Sequence, residues 1–424
     1  MPSPSLEPRL ICHAHSLSAR VLASIPTHHP LFGGHPCMCE CSIKAIVFCP
    51  IVLSSPNKLV GQRVATGLLA ANIIRLGTPW EDVMRQSLRF IFTAFCVLCI
   101  GTPSAFGWST GGHHIIASLA YQMLDDTDKQ TLIELLKQHP QFDSEFVPPT
   151  EVDSPEELRI WIAGRSGYWP DVSRGYPEFH RSTWHYQLGS TLVFGNASFL
   201  DVPVTPTDLP ATADLSTQDL YIGQAIELCR RVLGSADASA SDRALAICWL
   251  AHLVGDSHQP CHAGSLYAEV VFPEGDRGAN SIRTRQARNM HALWDQLLGQ
   301  RYVHGDIRRR MAEIQTDTEL VALADAAMNQ PNGLDPGVWL KESLDAGLQF
   351  VYTPEVIDVV LRAQRAGSTD LETITLSEQY LKNAGRVAQS RALLAARRLA
   401  AVWGEAFAAE TEGGITLPEV GPAP

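Results

Sequence analysis

Positive charge is scarce in this chain. Lysine and arginine number 33 against 45 aspartate and glutamate over 424 residues, a net of −12. That excludes a protein that grips nucleic acid with a basic stripe alone, so any hold on phosphate has to come from bound metal. Cysteine is scarce where a framework would need it. Cys12, Cys37, Cys39, Cys41 and Cys49 lie in the first fifty residues, and Cys96 and Cys99 in one apolar stretch. Only Cys229, Cys248 and Cys261 remain for the rest of the chain. Three thiols cannot all pair, and the Cys37–Cys41 run is too tight for the usual zinc knuckle. Long apolar runs are missing too. What is present, 45% hydrophobic and 18% charged residues, is ample for a core and is not the composition of a disordered chain. The length suits two average domains, or one helical domain of about 300 residues behind a removable segment.

The motifs favour the second arrangement. From Met84 the chain runs through Arg85 and Arg89 into eleven apolar or small residues, Phe90 to Ile100, and then to Ala105-Phe106-Gly107. A short basic head, a short apolar stretch and small residues at the positions a signal peptidase reads are the outline of a signal peptide over 84–107. Eleven residues fall far short of the roughly 20 that span a bilayer. Residues 1–83 show no sustained period and read as a non-native upstream extension, with Met84 as the start of translation. The mature chain, 108–424, then begins at Trp108 and carries a net of −16 once eight basic and four acidic residues are removed. It has no integral membrane segment and is expected to be exported, to the periplasm or outside the cell.

Beyond Trp108 apolar residues recur at three and four, which predicts helices over Ile115 to Leu124, Leu158 to Ile162, Leu220 to Val232 and Leu245 to Val254. The same period returns at Ala292 to Leu298, Val321 to Met328, Trp339 to Phe350 and Tyr380 to Trp403. Strand signals are sparse, and there is no internal repeat. Gly189 to Leu215 and Tyr267 to Ile282, rich in Pro, Gly, Thr and Asp, read as surface loops, the second as a candidate hairpin. The expectation is an all-α chain, a single helical-bundle domain.

Ten histidines lie beyond residue 107, and their grouping with aspartate is the informative feature. His252 and Asp256 stand four apart on a predicted helix, which puts both on one face with Cβ atoms about 6 Å apart. His262 follows a Gln-Pro break that turns the chain back. His291 and Asp295 repeat the spacing on a second helix. One such pair arises readily as a solvated face; two pairs with a histidine at the turn point to metal, and imidazole with carboxylate suits zinc. His258, in the same segment, reads as a packing or supporting residue. Asp171, after Trp169-Pro170 at a helix end, and His185, between Trp184 and Tyr186, are by themselves a helix-end charge and a core histidine.

Taken in order, Trp108 with His113, the WPDVSR string at Asp171 and Arg174, Trp184-His185-Tyr186, HLVGDSHQPCH from His252 to His262, and NMHALWD from Asn289 to Asp295 resemble the fungal and plant single-strand-specific nucleases of the S1/P1 type. The likeness runs from Trp108 to about Trp403, through DPGVWLKES at Asp335–Ser343 and RALLAARRLA from Arg391. It implies an all-α bundle with a trinuclear zinc cleft. Residue by residue, it implies that Asp171, His185, His252 and Asp256 hold one Zn²⁺ and that His262, His291 and Asp295 hold a second. A third falls to His113, a bridging Asp256, and the free amino group and carbonyl of Trp108. Three ions bring +6 against three aspartates, an excess that draws phosphate to an acidic protein.

The activity the likeness implies is hydrolysis of single-stranded DNA and RNA, and of 3′-nucleotides, to 5′-phosphates, by a water acidified between two ions attacking phosphorus in line. Arg174 would steady transition-state charge beside Asp171 and Asp256, and Tyr186 would stack a base. Leu188 stands where that family often carries Asp or Asn, which removes a hydrogen bond to the base. No stable protein partner is implied. Two other readings share part of this pattern, a zinc-dependent phospholipase C and a non-catalytic secreted zinc-binding protein. The turn ending at His262 and the Asn289–Asp295 helix separate the nuclease from the first, and the full ligand set with Arg174 from the second. Asn196-Ala197-Ser198 is a glycosylation sequon, and Cys261 reads as packing.

Overall fold

A computed structural model describes residues 107–187, 191–194 and 206–412. The upstream extension, the leader apart from Gly107, Leu188 and Asn196 lie outside them. The helices are α1 (Thr110–Met123), α2 (Asp126–Leu136), α3 (Phe142–Glu145) and α4 (Pro155–Val172), then α5 (Ile222–Leu233), α6 (Ala240–Ser257) and α7 (Met290–Asp295). After them come α8 (His304–Thr316), α9 (Thr318–Met328), α10 (Pro336–Ala346), α11 (Pro354–Arg365) and α12 (Glu378–Glu412). Two short strands, β1 (Thr191–Phe194) and β2 (Ser265–Ala268), pair in parallel, Thr191 opposite Ser265. The all-α expectation holds.

Helix starts follow from local chemistry. The Ser239 hydroxyl accepts from Asp242 N at 3.0 Å ahead of α6, and Ser154 accepts from Glu157 N at 3.2 Å ahead of α4, whose first residue is Pro155. Asp335 does the same for Gly337 N at 2.8 Å ahead of α10. Each cap satisfies a donor the helix cannot, and its loss costs about 1 kcal/mol. α5 buries one stripe, Ile222, Ala225, Ile226, Cys229 and Leu233, and exposes Glu227 and Arg231. In contrast α1 is buried from Gly111 to Tyr121 and α6 from Arg243 to Ser257, the mark of central helices. α4 and α12 pack on α1, α5 on α6, and α4 on α6. Gly164 and Gly167 allow the α1–α4 contact: a Cβ at Gly167 would fall 2.9 Å from His113 O, and one at Gly164 2.3 Å from His114 Nε2.

The first core lies among α1, α4, α5, α6 and α12. A second gathers Leu266, Phe272, Ile282, Trp294, Val356 and Val360 from β2, the segment after it, α7 and α11. This corrects the reading of Tyr267 to Ile282 as a surface loop. Val271, Phe272, Ala279 and Ile282 are buried, and the only hairpin-like feature among the described residues is an antiparallel bridge from Ala268 to Phe272. Within the stretch, the buried Asp276 is supplied with donors from outside it. The carboxylate accepts from Leu266 N at 2.9 Å, Ser265 Oγ at 3.0 Å and the Tyr352 hydroxyl at 2.9 Å. α2, α3, α8 and α11 stand where no period was read. α8 shows why: Ile307, Met311 and Ile314 face inward from a helix otherwise made of charged and polar residues. α7 is shorter than its pattern and leaves Leu297 outside the helix.

Candidate metal centre

α6, the most buried helix, delivers His252 and Asp256 from one face, both fully buried. Asp256 divides its carboxylate between two sets of imidazoles. Oδ1 lies 3.2 Å from His113 Nε2 on α1, while Oδ2 lies 3.0 Å from His185 Nδ1 and 3.2 Å from His252 Nε2. His185 Nδ1 and His252 Nε2 are themselves 3.1 Å apart, and the rings of His113 and His252 stack with centroids 3.9 Å apart. His252 donates its Nδ1 proton to Gly167 O at 2.9 Å, which leaves the Nε2 lone pair facing the cluster.

The second group is built on the turn after α6 and on α7. His262 donates from Nδ1 to His185 O at 2.5 Å, and His291 from Nδ1 to Gly278 O at 2.6 Å. The Nε2 atoms of the two rings therefore face each other at 3.1 Å, with Asp295 Oδ1 3.6 Å from His291 Nε2. A metal ion between them would take both nitrogens as ligands. The Gly278 carbonyl reaches His291 because residue 278 takes φ +62, and a Cβ there would fall 2.2 Å from Cys261 O, so glycine is required.

Charge and burial point the same way. Burial works against the charge of Asp256, yet His252 and His262 hold its carboxyl well below the usual range. Burial pushes Asp295 well above it, against the bond from Gln259. Burial lowers His113, with His252 adding to the effect, and lowers His185 to about 4, so both rings are neutral donors near neutral pH. His252 is raised despite its burial, by Asp256 and then Asp171.

Several buried atoms at this spot have no hydrogen-bond partner: Asp171 Oδ2, Asp256 Oδ1, His185 Nε2 and both ring nitrogens of His113. Each orphan of this kind costs about 1–3 kcal/mol. Acceptors and lone pairs gathered in one place, without donors, are what cations complete. His113, His252 and Asp256 form one set of converging ligand atoms, and His262, His291 and Asp295 another. The residues fit divalent metal.

The remaining predicted residues lie alongside. Asp171, in the last turn of α4, accepts from Arg174 Nη2 at 2.8 Å. Tyr186 is half-buried and lies parallel on His262, rings 4.7 Å apart and 8° from coplanar. Trp108 is fully buried and its indole donates to Gly255 O at 3.0 Å, while Ser109 N donates to Asp295 O at 2.9 Å. The chain around Trp108 is thus tied to α6 and α7, the helices that carry Asp256 and Asp295. His258 points away from the ligands, toward Arg398, and Cys229, Cys248 and Cys261 are free thiols.

Sequence reasoning missed Gln259. Its side chain donates from Nε2 to Asp295 Oδ1 at 2.7 Å and accepts from Cys261 N at 2.5 Å, linking the turn to a ligand. Its place between His258 and Pro260 in the most distinctive string was the available signal.

Among the described residues no helix is long and apolar enough to cross a membrane. Endonuclease 3 of Arabidopsis thaliana is 21% identical over 77% of this chain and 98% of its own length. Endonuclease 1 of the same plant is 22% identical over 77% and 95%. The S1/P1 nuclease family matches residues 108–408, a span that includes the candidate metal centre, and this chain belongs to that family.

Proposed function

We propose that the chain is the precursor of an exported zinc-dependent phosphodiesterase that cuts single-stranded DNA and RNA to 5′-phosphate products. Membership of a nuclease family gives the reaction class, hydrolysis of phosphodiester bonds. The observation that carries the finer reading is the divided carboxylate of Asp256, one oxygen toward His113 and the other toward His185 and His252. A bridging ligand of that form suits two ions, and the opposed Nε2 atoms of His262 and His291 suit a third. Asp171, His185, His252 and Asp256 would hold one zinc, and His262, His291 and Asp295 another. His113, Asp256 and the terminal amine and carbonyl of Trp108 would hold the last.

When bound, the ions would supply the positive charge this acidic protein lacks and would lower the pKa of a bound water toward neutrality. The chain's own residues do the rest. Arg174, fixed on Asp171, presents a planar fork where phosphate charge accumulates. Tyr186, half-buried beside His262, offers a face for a base. Only an unpaired base is free to stack, so single strands are preferred.

Processing belongs to the same reading. A Cβ built on Gly107 would fall 1.6 Å from Asp256 Oδ1, so Gly107, immediately ahead of Trp108, lies against the oxygen that the ion at His113 and Trp108 would share. Cleavage between Gly107 and Trp108 frees that oxygen and the amine together. The test is hydrolysis of denatured DNA and of phosphatidylcholine by processed protein, with zinc and with chelator. Chelator-sensitive release of 5′-phosphates from DNA supports the proposal, and lipid cleavage alone refutes it.

A further inference from the structure

Two motifs in the likeness, Asp335–Ser343 and the Arg391–Ala400 segment, carry no ligand, yet they converge on the helix end that does. α6 ends at Ser257, so the carbonyls of Val254, Gly255, Asp256 and Ser257 have no partner within the helix. All four are nonetheless satisfied. His258 Nδ1 donates to Val254 O at 2.7 Å, and Gly255 O accepts from the Trp108 indole at 3.0 Å. Asp256 O accepts from Gln259 N at 3.0 Å, and the Ser343 hydroxyl of α10 donates to Ser257 O at 2.6 Å.

Arg391 and Arg398 of α12 brace this end from outside. Arg391 donates from Nε to His258 O at 3.2 Å and from Nη2 to Ser343 Oγ at 2.7 Å. Arg398 donates from Nη1 to His258 Nε2 at 2.9 Å. Glu342 holds both guanidinium groups, at 2.8 Å from Arg391 and at 2.7 and 2.8 Å from Arg398. Arg398 is fully buried and lies over Trp339, 5.6 Å from the ring centroid. Two cations at a helix C-terminus also complement its dipole. Asp256 is one residue inside the braced end and His262 five residues beyond it, so the brace sets the spacing between the two ligand groups.

We propose that Ser343, Glu342, Arg391 and Arg398 form a positioning clamp for the metal centre, holding the Asp256–His262 turn at the geometry that lets both ligand groups fill. The inference rests on the zinc reading given above. Arg391→Lys keeps the charge and loses the fork that spans His258 O and Ser343 Oγ. Outer residues that orient ligands typically change metal affinity about 10–100-fold.

The experiment measures zinc dissociation constants of the processed protein by competition with a chromophoric chelator, at a temperature where every variant is folded by near-ultraviolet circular dichroism. Arg391→Lys is expected to weaken the most loosely held zinc about 10–100-fold, and Ser343→Ala to weaken it less, in the same direction. Arg386→Lys serves as a control, because Arg386 ties α12 to Asp317 and Glu319 away from the ligands. A variant that is merely less stable, but still folded, leaves the dissociation constant unchanged. Wild-type affinity in both Arg391→Lys and Ser343→Ala, or an equal loss in Arg386→Lys, overturns the clamp. If Arg391→Lys does not fold, Ser343→Ala decides. Failure of the wild-type protein to bind zinc refutes the zinc reading instead.

Discussion

His262 and His291 face each other Nε2 to Nε2 at 3.1 Å, each with its Nδ1 proton committed to a backbone carbonyl. Two ring nitrogens so placed suit one metal ion, so the stability of the fold should report on metal. Stripping zinc with a chelator should lower the melting temperature by about 6 °C. That corresponds to ligand at roughly a thousand times its dissociation constant, about 4 kcal/mol, at about 1.5 °C per kcal/mol for a chain of this size. Calorimetry with and without chelator checks it, and adding zinc back should restore the transition.

Tyr186→Ala should raise KM for denatured DNA and lower kcat/KM about 10–100-fold, since stacking of one base is worth about 1–3 kcal/mol. Tyr186→Phe should be close to wild type, because the ring does the stacking. Steady-state rates on a short single-stranded oligonucleotide test both. A Tyr186→Ala enzyme with unchanged KM would mean that the ring only covers His262.

Arg174→Ala should lower kcat on the order of 10²-fold, the usual cost of one donor aimed at developing charge. Arg174→Lys should recover little, because a point charge cannot bond Asp171 and a phosphate together as the fork does. Zinc content measured in parallel separates this effect from loss of the Asp171 ligand.

Acid should act on the fold away from the candidate metal centre. Burial pushes His139 down to about 3. The unfolded chain takes up this proton near pH 6.5 and the folded one only near 3, so stability is intact above 6.5 and is lost as pH falls between the two. The slope is about 1.4 kcal/mol per pH unit. His139→Asn, whose Oδ1 replaces Nδ1 as acceptor for Gln141 N, should flatten the pH dependence by that slope. Urea midpoints at pH 7 and pH 5 for both proteins give the comparison.

The parts of the site visible in the sequence were those carried by local spacing. His252 with Asp256 and His291 with Asp295 lie four apart on helices, and Pro260 turns the chain so that His262 follows within the same segment. Trp108, His113, Asp171 and His185 reach the cluster from 71 to 148 residues before Asp256, beyond any periodicity, and only the order of motifs tied them in. The carbonyls of Gly167, His185 and Gly278, which fix ring tautomers, are backbone atoms and leave no mark beyond a glycine that packing requires. Tyr267 to Ile282 misled because Gly, Pro and Asp ordinarily mark surface turns. Here the Asp276 carboxylate finds its donors inside, on Ser265, Leu266 and Tyr352, instead of in water.

The most direct test of the account compares protein that starts at Trp108 with protein that retains Gly107 ahead of it. Zinc per chain and the rate of denatured-DNA hydrolysis are measured on both. The account predicts three zinc ions and chelator-sensitive cleavage in the first, and loss of one ion with most of the activity in the second. Equal zinc and equal rates in the two proteins would contradict it.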